Sequence, residues 1–213
     1  MTFITSVLAE LANKRPVFHS EKDFQHTLAW EIHQRWERCS IRMEFKPPYL
    51  VSRVYLDIWA ADKDAILPIE LKYKTRRLRV KIGNEPFDLL DQSAQDTGRY
   101  DFLKDIQRLE QIVSGRSDIV SYAIFLTNDS AYWRPPRDSQ TVDASFRIHQ
   151  GRILAGELRW GSGASKGTMK TREEPIFIKG VYNLDWQNYS NPSEEPYGKF
   201  KYLLVEVSSG HGV

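Results

Sequence analysis

The run from Asp118 to Asp129, "DIVSYAIFLTND", constrains this chain most. Its middle is apolar without interruption, so a strand built from it has no polar face. Both faces must then be covered, which requires layers on each side of a sheet and predicts a parallel, central strand. A covering helix is at hand just upstream. From about Thr97 to Ser114, Phe102, Ile106, Leu109 and Val113 form one stripe, and Gly115 stands where a helix stops.

The rest of the chain supplies partners for that strand. Residues 4–13 predict a short helix ended by Pro16. Ser20 is a suitable N-cap with Asp23 three positions on, and Phe24, Leu28, Ile32 and Trp36 recur every four residues, predicting a helix from about Glu21 to Arg38. Three strands follow: Ser40 to Phe45 before a Pro47-Pro48 break, Arg53 to Ala60, and Ala65 to Lys74 after the polar turn "ADKD". In the C-terminal third, "SFRIHQGRILAGELRWG" predicts a hairpin turning at Gln150-Gly151, "PIFIKGVY" and "KYLLVEVS" predict further strands, and "GSGASKGTMKTREEP" predicts a mobile loop. This order reads as an α/β or α+β domain around a mixed sheet flanked by helices. A length of 213 residues fits one domain, with a core over about 20–129 and a β-rich elaboration over about 130–213.

Two of those strands carry charges that strand formation does not need. Because side chains alternate, Val54, Leu56 and Ile58 share one face, and Tyr55, Asp57 and Trp59 share the other. In the next strand Leu67, Ile69, Leu71 and Tyr73 face together, which leaves Ile66, Pro68, Glu70 and Lys72 opposite. The short turn predicts antiparallel pairing, which sets Asp57 beside Glu70. Two carboxylates brought together resist ionisation unless a cation joins them. Mg2+, with Mn2+ as a substitute, suits one or two carboxylates plus water and phosphate oxygens, the chemistry of phosphodiester hydrolysis. Lys72 would stand beside it, orienting or helping to deprotonate the attacking water and neutralising phosphate charge.

Asp57, twelve intervening residues and then Glu70-Leu71-Lys72 resembles the signature of the PD-(D/E)XK nuclease superfamily, the restriction-endonuclease-like fold. The resemblance covers roughly Ser20 to Asp129 and includes the order of helix, strands, helix and strand; Leu56 stands where the superfamily often has proline. It implies a metal-dependent nuclease whose metal ligands are Asp57, Glu70 and an acid on the first core helix, Glu21 or alternatively Glu31, with the Leu71 carbonyl completing the coordination. Glu21 also has an ordinary explanation, because an acid in a first turn favours the helix dipole.

Downstream, "KYKTRRLRVK" concentrates Lys74, Arg76, Arg77, Arg79 and Lys81, the candidate nucleic-acid contacts, with a charged edge strand guarded against aggregation as the bland alternative. Trp59, Tyr73 and Tyr132-Trp133-Arg134 are candidates for stacking on bases, though core or rim packing is favoured. Arg99, Tyr100, Asp101 and Lys104 read as a solvent-facing helix surface rather than the frame of a cleft.

Several classes of function are excluded or disfavoured. The lone Cys39 rules out an internal disulfide framework and a multi-cysteine zinc site, and His26 and His33 are two helical turns apart, too far to share one ion. The loop order Lys166-Gly167-Thr168 is not that of a phosphate-binding loop. With no run of about 18 apolar residues and no secretory start, a cytoplasmic protein without a membrane partner is expected. A formal net charge of +2 is too small to imply nucleic acid by itself, so the partner reading rests on local clusters. The expected function is Mg2+-dependent cleavage of DNA, with a non-catalytic nucleic-acid-binding or assembly module as the alternative; homodimerisation is left open.

Overall fold

Side-chain caps start both leading helices. The Thr2 hydroxyl accepts the Thr5 N–H and begins α1 (Phe3–Lys14), and the Ser20 hydroxyl accepts the Asp23 N–H and begins α2 (Glu21–Arg35). The computed structural model describes residues 2–47, 55–138 and 140–209. Arg53 and Val54, assigned to the second strand from sequence, lie outside the described residues, as does Pro48. The strand order then follows the expected one closely: β1 (Ser40–Phe45), β2 (Leu56–Ala61) and β3 (Ile66–Lys74). A small antiparallel hairpin, β4 (Leu78–Ile82) with β5 (Glu85–Leu89), intervenes before α3 (Gln95–Val113) and β6 (Val120–Thr127). The remaining elements are β7 (Ile153–Leu158), a one-turn α4 (Lys166–Met169), β8 (Ile176–Asn183), β9 (Trp186–Ser190) and β10 (Phe200–Ser208).

One six-stranded mixed sheet runs through the molecule in the order β1-β2-β3-β6-β10-β9. β3 and β6 are parallel and every other neighbouring pair is antiparallel. The parallel pair needs a long crossover, and α3 provides it. β6 is buried on both faces, as its apolar run requires. Tyr122, Ile124 and Leu126 join Phe24, Leu28 and Ile32 of α2, while Ala123 and Phe125 join Phe102, Leu103, Ile106 and Leu109 of α3. The alternation expected for β3 is also observed: Leu67, Ile69, Leu71 and Tyr73 all lie in the cluster with α1 and α2. Glu70 and Lys72 therefore project toward α3.

Several expectations need correction. No hairpin turns at Gln150-Gly151; β7 pairs instead with β8, across a connection that contains α4, because residues 144–146 form a 3-10 turn rather than a strand. The basic stretch does not continue β3 as one edge strand, since the chain leaves the sheet after Lys74 to form the β4–β5 hairpin. The C-terminal third, expected as a β-rich elaboration, contributes β10 and β9, which extend the central sheet beyond β6. Leu56 joins the cluster on the α3 side rather than that of Ile58, since β2 turns away from β3 at this point.

Three of the α3 residues read as solvent-facing are tertiary anchors, while Lys104 donates to Gln107 of its own helix. Arg99 is buried and ion-paired to Asp143, the Tyr100 hydroxyl donates to the Glu174 carbonyl, and Asp101 accepts from Nε and Nη2 of Arg172, each at 2.7 Å. On the same helix, the Glu110 carboxylate accepts the N–H groups of Lys179 and Gly180 and the hydroxyl of Tyr182, which ties β8 to α3. Among the described residues no helix is long and apolar enough to cross a membrane.

Candidate active site

The site forms where β2 and β3 separate. Their ladder runs from Ala61 opposite Ile66 to Ile58 opposite Ile69 and ends there. Beyond it the N–H groups of Leu71 and Tyr73 on β3 meet no strand among the described residues, and buried N–H groups left unpaired are costly. Two carboxylates take the place of the strand. The Leu71 N–H donates to Asp57 Oδ2 at 2.7 Å, and the Tyr73 N–H donates to Glu21 Oε2 at 2.8 Å. Glu21 reaches this position because it is the first residue of α2 and its side chain extends from the capped end toward the sheet. The buried Gln25, one turn further on, donates from Nε2 to the Asp57 carbonyl at 2.5 Å and to Glu44 Oε1 at 3.2 Å. Glu44 itself has φ of +51°, in the left-handed region uncommon for a non-glycine residue.

Glu70 and Lys72 enter the same space from β3. Lys72 Nζ donates to the Leu71 carbonyl at 3.1 Å and lies 2.5 Å from Asp105 Oδ2 of α3, a close ion pair rather than an aligned hydrogen bond. Arg108, one turn along α3 from Asp105, pairs with Glu70 Oε1 and with Asp105 Oδ1, the latter at 3.0 Å. Glu70 and Asp105 are 3% and 4% exposed, so their charges interact through a poorly screened medium. Burial and the Asp105 and Asp57 charges raise the Glu70 carboxyl well above its ordinary value despite Arg108. The Asp105 carboxyl is likewise raised, chiefly by burial. Lys72 moves the other way in chemical consequence: burial disfavours its charge, but Asp105, Asp57 and Glu21 outweigh that and hold it as an ammonium. Such a lysine donates hydrogen bonds and neutralises charge; it does not act as a base.

The hydrogen bonds leave Asp57 Oδ1 and Glu70 Oε2 without a partner among the described residues. Two free carboxylate oxygens, with the Leu71 carbonyl beside them, are hard donors that fit a small divalent ion carrying several waters of its own. No ready-made cage of three or more His, Cys, Asp or Glu side chains exists among the described residues. Any ion bound here would thus depend on water and substrate oxygens for most of its ligands.

Asp57, Glu70 and Lys72 are therefore together, as the strand spacing predicted, and Glu21, which only the resemblance implied, is with them, whereas Glu31 is not. It is ion-paired to Lys14 and Arg35 where α1 meets α2. Of the basic stretch, Arg76 pairs with Asp91 and Arg79 with Asp88, while the side chains of Lys74, Arg77 and Lys81 make no ion pair among the described residues. Trp59, Tyr73 and Tyr132 are buried and pack in the core. Asp105 and Arg108 were missed from sequence. Their one signal is that they run along the border of the Phe102, Ile106, Leu109 stripe, where a charge has a short path to the sheet.

The raised Glu70 and Asp105 carboxyls make stability depend on pH in a defined direction. The folded chain retains protons that the unfolded chain releases once pH passes the ordinary carboxylate value, 4.5 for Glu70. Stability contributed by these groups is present below that value and is lost as pH rises toward the raised folded values. In metal-free buffer, urea unfolding of the wild type should therefore show a steeper fall in midpoint as pH rises above the ordinary carboxylate range than unfolding of Glu70→Gln. Parallel profiles for the two proteins would refute this.

Comparison with protein-family models, with curated proteins and with solved structures finds no match for this chain.

Proposed function

We propose that this protein is a divalent-metal-dependent nuclease with a restriction-endonuclease-like core, acting on DNA. The observation that carries the proposal is the separation of β2 from β3, with Asp57 and Glu21 on the freed N–H groups of β3 and Glu70 and Lys72 on β3 itself. A purely structural sheet would close this gap with backbone pairing. The order α2, β1 to β3, α3, β6, with β6 parallel to β3, supports the same reading.

Asp57 Oδ1, Glu70 Oε2 and the Leu71 carbonyl would hold Mg2+, and Mn2+ in its place; the ion would supply a Lewis acid for the phosphate and an activated water. Lys72 orients the attacking water through its N–H groups and offsets negative charge that develops on the phosphate oxygens. Asp105 keeps Lys72 protonated and aimed, and Arg108 shares the Glu70 carboxylate, so α3 sets the charge state of the β3 residues. Gln25 fixes the backbone of Asp57.

A plasmid and a single-stranded DNA incubated with the protein should be cut in Mg2+ or Mn2+ and not in EDTA. Intact DNA under all metal conditions would sink the proposal. One observation favours a second reading, a non-catalytic nucleic-acid-binding module: Glu70 and Lys72 are each already ion-paired, by Arg108 and Asp105 respectively, with no metal needed to balance them. That reading expects DNA binding indifferent to divalent ions and to Asp57→Asn.

A further inference from the structure

At the C-terminal ends of the parallel strands β3 and β6, a second set of residues is held in a manner that packing alone does not explain. Asn128 follows β6 directly and is 2% exposed. Its Oδ1 accepts the Arg76 N–H at 2.7 Å, and its Nδ2 donates to the carbonyls of Arg76 at 3.2 Å and Tyr197 at 2.9 Å. Tyr197 has φ of +67°, a left-handed conformation that is strained for a bulky L-residue. Yet its side chain is not spent on the core: Tyr197 is 41% exposed, with the Arg76 guanidinium 4.9 Å from its ring centroid. The turn that bears it has no slack, since a Cβ on Gly198 would lie 1.8 Å from the Ser193 carbonyl oxygen. A strained backbone that presents an aromatic ring to solvent, locked by a buried asparagine, is a built platform.

The platform lies in a charged cleft. A cavity of about 840 Å³ is lined by Trp133, Arg134, Tyr197, Lys199 and Lys201, and an adjoining one of about 370 Å³ shares Arg134 and Tyr197 and adds Arg76 and Arg137. Together the two carry six Lys or Arg residues against three carboxylates, Asp129, Glu194 and Glu195. Arg134, Arg137, Lys199 and Lys201 make no ion pair among the described residues, so their charge is available to a polyanion. Arg76 is four residues beyond Lys72, a span of at most about 13 Å along an extended chain.

We propose that this cleft binds single-stranded DNA, with a base stacked on Tyr197 and phosphates against Arg134, Arg137, Lys199 and Lys201. A paired base in a duplex keeps its faces covered by its neighbours, whereas an unpaired base can lie on an exposed ring. The proposal rests on the nuclease reading only for its consequence, that an unpaired strand is what reaches Lys72.

The test is fluorescence anisotropy of the full chain with a labelled oligodeoxythymidylate and with a duplex of equal length, in EDTA so that cleavage plays no part. The wild type should prefer the single strand. Tyr197→Asn removes the ring at a position where asparagine tolerates positive φ, and should weaken single-strand binding about tenfold without lowering the unfolding midpoint. Arg134→Glu should reduce the slope of log affinity against log salt by about 0.7 or more. Tighter binding of the duplex, or either variant binding the oligonucleotide as the wild type does, overturns the proposal. If oligonucleotide binding behaves as stated and no DNA is cut in Mg2+, the nuclease reading fails while the cleft stands; cleavage with an unchanged Tyr197→Asn affinity has the reverse meaning.

Discussion

Asp57→Asn is expected to reduce DNA cleavage by about 10³-fold or more while leaving stability within about 0.5 kcal/mol of the wild type. The two halves of this expectation have different causes. Asparagine keeps a side-chain oxygen that can accept the Leu71 N–H, the contact that replaces the lost ladder between β2 and β3. The fold around the gap therefore persists. What asparagine removes is the negative charge, and with it a hard ligand facing the space between Glu70 and Lys72. Lys72→Met should cause a loss of about 10²- to 10³-fold by another route, since methionine retains much of the apolar stem but supplies neither charge nor N–H groups. Both are read as initial rates of plasmid cleavage in Mg2+, alongside urea unfolding. Cleavage by either variant within a few-fold of the wild type would remove Asp57 or Lys72 from the chemistry.

The largest expected effect on stability lies elsewhere, at Asp143. Arg99 of α3 and Asp143 are both buried, with Arg99 Nη1 donating to Asp143 Oδ2 at 2.6 Å and Nη2 donating to the Ala131 carbonyl at 2.8 Å. Burial, and then the neighbouring Arg147, push the Arg99 guanidinium below its ordinary value, while Asp143 holds it charged. Asp143 also accepts from Arg147 at 3.0 Å, so one carboxylate serves two cations. Asp143→Ala leaves a buried guanidinium unpaired beside a second one, at a cost of about 3–5 kcal/mol. For a chain of this length the melting temperature should fall by on the order of 10 °C. Asp88→Ala, which breaks the exposed pair with Arg79, is the control and should cost no more than about 1 kcal/mol. A loss at Asp143 no larger than at Asp88 would show that the Arg99 pair is dispensable.

Asp143 also illustrates what a one-dimensional reading overlooks. Tyr100 and Asp101 are polar or amphipathic residues at the start of a helix, and the helical stripe of Phe102, Ile106 and Leu109 leaves them on other faces, whereas Arg99 continues that stripe with a charge that needs a buried partner. Nothing local distinguishes Tyr100 and Asp101 from solvated residues. All three are covered because the C-terminal third folds back over α3, bringing Asp143, Glu174 and Arg172 to them from 44, 74 and 71 residues away. The same applies to the Gln150-Gly151 turn. A glycine at a turn is a local signal, but the partner of β7 is set by which strand buries Leu154 and Leu158, and β8 does so.

The face shared by Glu70 and Lys72 was determined by sequence alone, because the two-residue period of a strand has no other solution once Ile69, Leu71 and Tyr73 must face a core. The short turn after Ala61 set β2 antiparallel to β3 and so brought Asp57 to the neighbouring strand, whereas Glu21 came only from the family resemblance, its place in the first turn being explained as well by the helix dipole. Tertiary structure alone decided what those charges meet. Helical periodicity says that Asp105 and Arg108 are near one another on α3, but not how the helix is rotated over the sheet or which residues of β3 it crosses. That rotation depends on the fit of Phe102, Leu103 and Ile106 against β6 and β10, a packing problem spread over residues far apart in the chain. It is this fit that pairs Lys72 with Asp105 and Glu70 with Arg108, and so sets their protonation.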